Sequence, residues 1–520
     1  MSRAVVIGGG IAGLASAALL ARDGHEVTLV EAGPQFGGRA GRWEAGGFRF
    51  DTGPSWYLMP EVFEHFFRLF GTTAEQALDL VRLDPAYRVY FEAEPAPLDL
   101  RSGREHATAA FEAIEPGAGA ALDAYLDSAD ETATLAVEHF LYTDFTTPRA
   151  FASAPMLRRA GRLGPLLFES LDRFVGRRFA DRRLRQVLGY PAVFLGTSPS
   201  RAPSMYHLMS RYDLLDGVRY PMGGFGELID AIARLAVDAG AELLASTRAT
   251  RIVAERGHAA GVEVADASGT RFLEAEVVVA AVDGRHADVD LLPPDLRSRS
   301  DRSWARSDPG PSAVLALLGV RGRLPELRHH TLFFTEDWEE NFRRVLGPDR
   351  GIPDPASLYA CMPSATDPTV APDGHENLFV LVPVPADPAI GSGGIDGAGD
   401  PEVEATADRA IAQIAAWAGV PDLAERVVVR RTIGPADFAE WFHADRGSAL
   451  GPAHVLRQSA FLRGRTASRD VDGLFYAGAS TVPGIGLPMC LISAELVAKA
   501  VRGERRPGPL PEPRGARAAA

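Results

Sequence analysis

The chain opens on a short apolar, β-branched run, Ala4-Val5-Val6-Ile7, then glycines, then an apolar stretch from Leu14 to Arg22. A run of this kind bounded by glycine predicts a buried parallel strand feeding a helix, because such a strand is covered on both faces. Asp23-Gly24 closes that helix, and His25 to Val30 predicts a second strand ending at Glu31. Phe63, Phe66, Phe67 and Phe70 fall at i, i+3, i+4 and i+7, a helical stripe that packs into a core. Leu83 to Thr108 reads as strands broken by Pro85, Pro95 and Pro97, and Ala109 to Leu188 as mainly helical. Gly217 to Leu228 is a glycine-rich turn entering a helix that runs to Gly240. Ala241 to Ala254, Gly261 to Val264 and Val277 to Val282 follow as strands, the last returning the chain to the opening sheet. Val314 to Val320 and Leu378 to Val384 belong to a second sheet. Gly391 to Gly399 predicts a mobile loop. Leu474 to Ala477 is a final strand, and a helix starts near Leu487. Beyond Arg502, proline, arginine and alanine predict a disordered tail.

Composition narrows the class. The 520 residues carry 54 Lys and Arg against 68 Asp and Glu, a net charge of −14, which excludes non-specific nucleic-acid binding. Cys361 and Cys490 give no disulfide framework and no zinc-type spacing, as in a reducing compartment. Lys499 is the only lysine, so an arginine cluster carries less meaning than usual. Two uncharged stretches, Ala4 to Ala21 and Gly473 to Ala494, could pass for membrane spans. The first holds Gly8 to Gly10 and the second Pro483 and Pro488, so neither is expected to span. A cytoplasmic protein without a transmembrane helix is expected.

The chemistry starts at the first strand. Gly8, Gly10 and Gly13 satisfy G-x-G-x-x-G, with Ile11 and Ala12 between them, and Glu31 lies 21 residues beyond Gly10. Glycines allow the backbone to approach a pyrophosphate, a helix N-terminus stabilises its charge, and the acid binds ribose hydroxyls. An acid there disfavours a 2′-phosphate. Gly37-Gly38-Arg39 follows at once, then Phe50-Asp51-Thr52-Gly53-Pro54-Ser55. Near the other end, Gly478-Ala479-Ser480-Thr481-Val482-Pro483-Gly484-Ile485-Gly486-Leu487-Pro488 forms a second glycine-rich helix entry, whose positive end suits an electron-rich ligand. His329-His330 reads as a solvated pair, no metal set is evident, and no general base or other catalytic residue can be named.

These motifs, with Phe194-Leu195-Gly196-Thr197-Ser198-Pro199 and Tyr220-Pro221-Met222-Gly223-Gly224, resemble those of bacterial-type phytoene (carotenoid) desaturases in the flavin amine oxidase superfamily. The resemblance spans Ala4 to about Arg502. Asp472 and Val482 depart from it, at positions where the family often has Asn and a polar residue. It implies an α/β fold with a discontinuous, Rossmann-like FAD-binding domain and a substrate domain of mixed sheet plus helices. Residues 1–85, 217–290 and 446–503 would form the FAD-binding part. Residues 86–216 would be a helical region facing substrate and membrane, 291–445 the substrate domain and 504–520 the disordered tail. FAD would lie against Gly8, Gly10, Ile11, Ala12, Gly13, Glu31, Gly38, Arg39, Gly53, Pro54, Gly478, Gly484, Ile485, Gly486 and Met489.

The implied activity is stepwise desaturation of an acyclic carotenoid, phytoene towards neurosporene or lycopene, with a quinone or oxygen taking the electrons. A ketolase, an oxygenase or another carotenoid or retinoid oxidoreductase on the same fold, and less favourably a non-catalytic prenyl-lipid carrier, remain open. A bilayer-borne substrate calls for peripheral membrane docking. Residues 156–190 are the candidate segment, with Arg158, Arg159, Arg162, Arg173, Arg177, Arg178, Arg182, Arg183 and Arg185 beside an apolar stripe of Leu167, Leu171, Phe174 and Val175.

Overall fold

The structure, a computed structural model, describes residues 2–145, 161 and 164–513. Arg3–Ile7 is the middle strand of a five-stranded parallel sheet. Its neighbours are Glu26–Val30 and Val277–Ala280, and Glu242–Leu244 and Leu474–Tyr476 form the edges. The sheet therefore draws on three stretches far apart in sequence. Every side chain of Val277–Ala280 is buried, as the unbroken apolar run requires. The helix Ile11–Arg22 packs between Phe225–Asp238 and Leu487–Val501, and its alanines permit that close approach. Its first turn starts three residues before Leu14, because Gly10 itself is the cap.

The second sheet has seven strands, with Ser312–Arg321 paired antiparallel to His375–Val384 and Val427–Ile433. Alternation along Ser312–Arg321 sorts its side chains into two cores. Val314, Ala316 and Leu318 meet the helix Pro401–Ala418, whereas Ala313, Leu315 and Leu317 join the core shared with the parallel sheet. That second face walls the cavity described below.

Several expectations change on contact with the structure. The region 86–216 opens with strands, Tyr87–Phe91 and Leu98–Leu100, which extend the second sheet, and Arg104–Thr108 already belongs to a helix. Gly269–Glu274 adds a third strand beside His258–Asp266. The loop Gly391 to Gly399 is fastened rather than free. Gly393 N–H donates to Asp437, Gly394 N–H to Thr432 Oγ1 at 2.8 Å, and a Cβ on Gly393 would overlap the Thr432 carbonyl. The tail is anchored at points as far as Glu512. Leu510 is 2% exposed, its N–H reaches Glu495, Lys499 Nζ donates to the Gly508 carbonyl at 2.8 Å, and Glu512 meets His65. Proline-rich composition missed these anchors because they lie on distant elements. Residues 514–520 lie outside the described residues.

Candidate active site

A single cavity of about 1500 Å³ runs between the two sheets, from Gly8 and Glu31 at one end to Phe168 and Phe461 at the other. It exceeds the range of about 300–1,000 Å³ usual for one small ligand.

The first end is made of backbone. Gly8 has φ +101°, and a Cβ on Gly13 would overlap the Gly8 carbonyl oxygen. Gly13 thus works from behind: it lets helix and loop touch but does not itself line the cavity. Gly10, by contrast, lines the cavity, where a Cβ would meet only Gly37 O and Gly38 Cα at 3.9 and 4.0 Å, and no side chain caps the first turn of its helix. The amides there are free for an anion. The Glu31 carboxylate is held by Gly9 N–H and Gly33 N–H, both at 2.7 Å. Arg39 is half-buried, its guanidinium pushed below the usual range by loss of water; its Nε has no partner, its Nη2 reaches the Ser448 carbonyl only at 3.5 Å, and it lies 5.5 Å from the Phe442 ring centre. An under-partnered cation beside free amides fits a pyrophosphate. A Cβ on Gly53 would overlap the Arg39 carbonyl, so Gly53 holds the arginine loop in register, with Pro54 beside it on the wall.

The C-terminal turn supplies the facing wall: Gly478, Ile485, Gly486 and Met489 line the cavity, and Gly486 caps Leu487–Val501 without a side-chain bond. Gly484 sits behind, because a Cβ there would collide with the His454 ring. His454 Nε2 accepts from Ile485 N–H at 3.0 Å, so Nδ1 carries the proton and donates to Tyr206 Oη at 2.8 Å. Burial keeps the ring neutral. Arg463 donates to the Ala479, Thr481 and Pro452 carbonyls, and burial brings it down to about 10. Together they brace the turn. Neither was legible in the sequence, since His454 and Ile485 stand 31 residues apart and no spacing links them.

The other end is made of side chains. Phe194, Leu315, Phe379 and Leu381 line it, and Trp56 stands over His330 at 4.2 Å in a stack inclined by only 9°. Tyr87, Tyr190, Phe194 and Tyr359 surround that tryptophan. At the rim, Phe168 is 80% exposed and Leu462 67%, with Leu167, Leu456 and Phe461 nearby on the same mouth.

Two expectations are corrected here. His329 and His330 are buried rather than solvated; loss of water pushes His329 down to about 3 and His330 well below its usual value. The arginine-rich segment is not a free amphipathic face either. Leu171, Phe174 and Val175 point into the core, which leaves only Leu167 of the expected stripe outside. Arg177 pairs with Glu169, Arg183 with Asp181 and Glu94, and Arg178 lies 3.8 Å from the Phe174 ring centre. Arg158, Arg159 and Arg162 lie outside the described residues.

A dinucleotide cradle opening without a partition into an apolar chamber defines an oxidoreductase that works on apolar substrates with a bound dinucleotide. The chain belongs to the flavin containing amine oxidoreductase family, whose model matches residues 11–502. It is 40% identical over 496 residues to a carotenoid 3,4-desaturase from Haloarcula japonica, covering 95% of this chain and 97% of that protein. It is 33% identical over 507 residues to a zeta-carotene-forming phytoene desaturase from Myxococcus xanthus, covering 95% and 93%. Among solved structures it shares the fold of cyclohexylamine oxidase from Brevibacterium oxydans, with a TM-score of 0.60 at 16% identity over 96% of this chain and 99% of that one.

Proposed function

We propose that this chain is an FAD-dependent oxidoreductase that desaturates CH–CH groups of an acyclic carotenoid. The observation that carries the reading is the continuity of one cavity from glycine-lined cradle to apolar chamber. Gly10, Ile11, Ala12 and Arg39 would hold the pyrophosphate, Glu31 the ribose, and the turn from Gly478 to Met489 the flavin side. FAD, when bound, supplies the hydride acceptor for an allylic carbon. The chain's own part is orientation and exclusion of water: Leu315, Phe379 and Leu381 present no polar atom to a polyene. His454 has both ring nitrogens engaged and positions the turn.

Both curated relatives named above are desaturases, so the ketolase and carrier readings are not favoured. They differ in substrate. Phytoene is the first candidate on motif grounds; the higher identity to the 3,4-desaturase favours an already conjugated acyclic carotenoid as the second. No helix among the described residues is long and apolar enough to cross a membrane. The exposed apolar rim at the mouth supports peripheral docking on a bilayer, the substrate's own solvent.

The test is an anaerobic incubation of the FAD-loaded protein with phytoene in liposomes plus a quinone, and in parallel with a conjugated acyclic carotenoid. Products lighter by hydrogen pairs, with an equivalent reduction of the quinone, are expected from one of the two. Oxygen-containing products in a parallel aerobic incubation, or neither hydrogen loss nor quinone reduction with either substrate, would overturn the reading.

A further inference from the structure

Behind the Trp56 wall lies a cluster that the proposed reaction does not use. His330 and Cys361 are directly paired across the antiparallel strands His330–Phe334 and Leu358–Cys361, and His329 precedes them. All three are buried, and one ligating atom from each lies within 4.8 Å of the other two.

The hydrogen bonds leave the inward nitrogens empty. His329 Nδ1 meets Thr366 Oγ1 at 2.9 Å and His330 Nδ1 meets Tyr359 Oη at 2.7 Å. The Nε2 of each ring is buried without a partner. Two orphaned ring nitrogens in one core are costly, because each has lost water and gained nothing. A hydroxyl on the far nitrogen of each ring is the arrangement that orients imidazoles as metal ligands.

We propose that His329 Nε2, His330 Nε2 and Cys361 Sγ bind one thiophilic d10 cation, zinc by the chemistry of its ligands. Zinc bonds of about 2.0–2.3 Å at tetrahedral angles set ligand atoms roughly 3.5 Å apart, inside the span seen here. The set offers three ligands. A cavity of about 10 Å³, walled by His329, Cys361, Asp51 and Ser55, adjoins two of them and has room for about one water as the fourth. The thiol loses its proton to solvent as the ion enters, and no electrons move. The bound ion fixes the end of the second sheet and holds His330 flat beneath Trp56, so it sets the width of the apolar chamber.

Full-length, FAD-loaded protein from zinc-supplemented cells is assayed for metal, and after chelation it is titrated with Co2+ alone. One zinc per chain and a near-ultraviolet thiolate-to-cobalt band are expected. The band should vanish in Cys361→Ser and His329→Gln and persist in Cys490→Ser. Zinc at background together with no cobalt band in the unaltered protein would overturn the proposal, as would a band that survives Cys361→Ser. The unaltered protein decides the matter even where a variant fails to fold.

Discussion

The two ends of the cavity are built by different means. At the dinucleotide end the walls are backbone and the critical residues lack side chains: Gly8, Gly10, Gly13 and Gly53 work by what they leave out. At the apolar end the walls are side chains from elements as distant in sequence as Trp56, Phe194 and Phe379. A backbone cradle tolerates almost no substitution but depends on few positions. A side-chain wall spreads its energy over many contacts, so each position counts for less. Perturbations at the two ends should therefore differ in kind.

The sharpest break is Gly13→Val. A side chain there overlaps the Gly8 carbonyl, so helix and loop must part and the amides leave the pyrophosphate site. The purified variant should be colourless, with FAD affinity down more than a hundredfold, or about 3 kcal/mol. Yellow protein with a normal flavin spectrum would show that the cradle is not where FAD sits. A smaller effect at the same end comes from Arg39→Met, which keeps the bulk and removes the charge. Losing a charge-assisted bond to a phosphate costs about 1.5–3 kcal/mol, so FAD should bind roughly 10- to 100-fold more weakly. Fluorescence titration of apoprotein measures it, and unchanged affinity would place the phosphates elsewhere.

The apolar end answers through pH. Asp213 is buried behind Trp56, its Oδ2 accepts from Tyr87 and Tyr190 hydroxyls at 3.2 and 3.0 Å, and its Oδ1 has no partner. Loss of water pushes its carboxyl up to about 7. Between pH 4 and 7 the folded chain therefore holds a proton that the unfolded chain has released, and stability falls as pH rises through that window. Asp213→Asn, which keeps the shape and cannot ionise, should flatten the decline. Urea midpoints across pH 5 to 8 measure it, and parallel slopes for both proteins would refute the assignment. The full difference is a few kcal/mol at most, at about 1.4 kcal/mol per pH unit.

The contrast also explains what could be read from the chain in advance. Gly8, Gly10, Glu31 and the Gly478 to Gly486 turn announce themselves, because local backbone geometry demands glycine at fixed spacing and the cradle is contiguous in sequence. Strands such as Val277–Ala280 were legible for the same reason: burial on both faces leaves an unbroken apolar run. His454, Arg463 and Trp56 carried no such signal. Their roles arise only when distant segments meet, and nothing near them in sequence demands their type. The His329-His330 pair misled for that reason, since its burial depends on Trp56 and Tyr359. The arginine-rich segment misled differently. Its apolar stripe was real, but helical periodicity cannot say whether a stripe faces a core or a membrane, and Phe174 and Val175 went inward.

That correction moves the docking surface and yields the smallest expected effect. If the arginines act mainly through Glu169, Asp181 and Glu94, reversing Arg177 and Arg183 disturbs local pairs more than it disturbs lipid binding. The rim is the better target. Phe168 and Leu462 are largely in water, so Phe168→Ser with Leu462→Ser should leave stability within about 0.5 kcal/mol. Inserting such side chains into lipid is worth about 1.5–3 kcal/mol each when complete, and less at an interface, so partition onto liposomes should drop about tenfold. FAD content should not change, because neither residue approaches the cradle. Sedimentation with liposomes of the same lipid used in the desaturation assay separates the outcomes. Undiminished binding by the double variant, with loss in Arg177→Glu/Arg183→Glu, would return the membrane contact to the basic segment and leave the exposed rim as a lip through which the substrate enters.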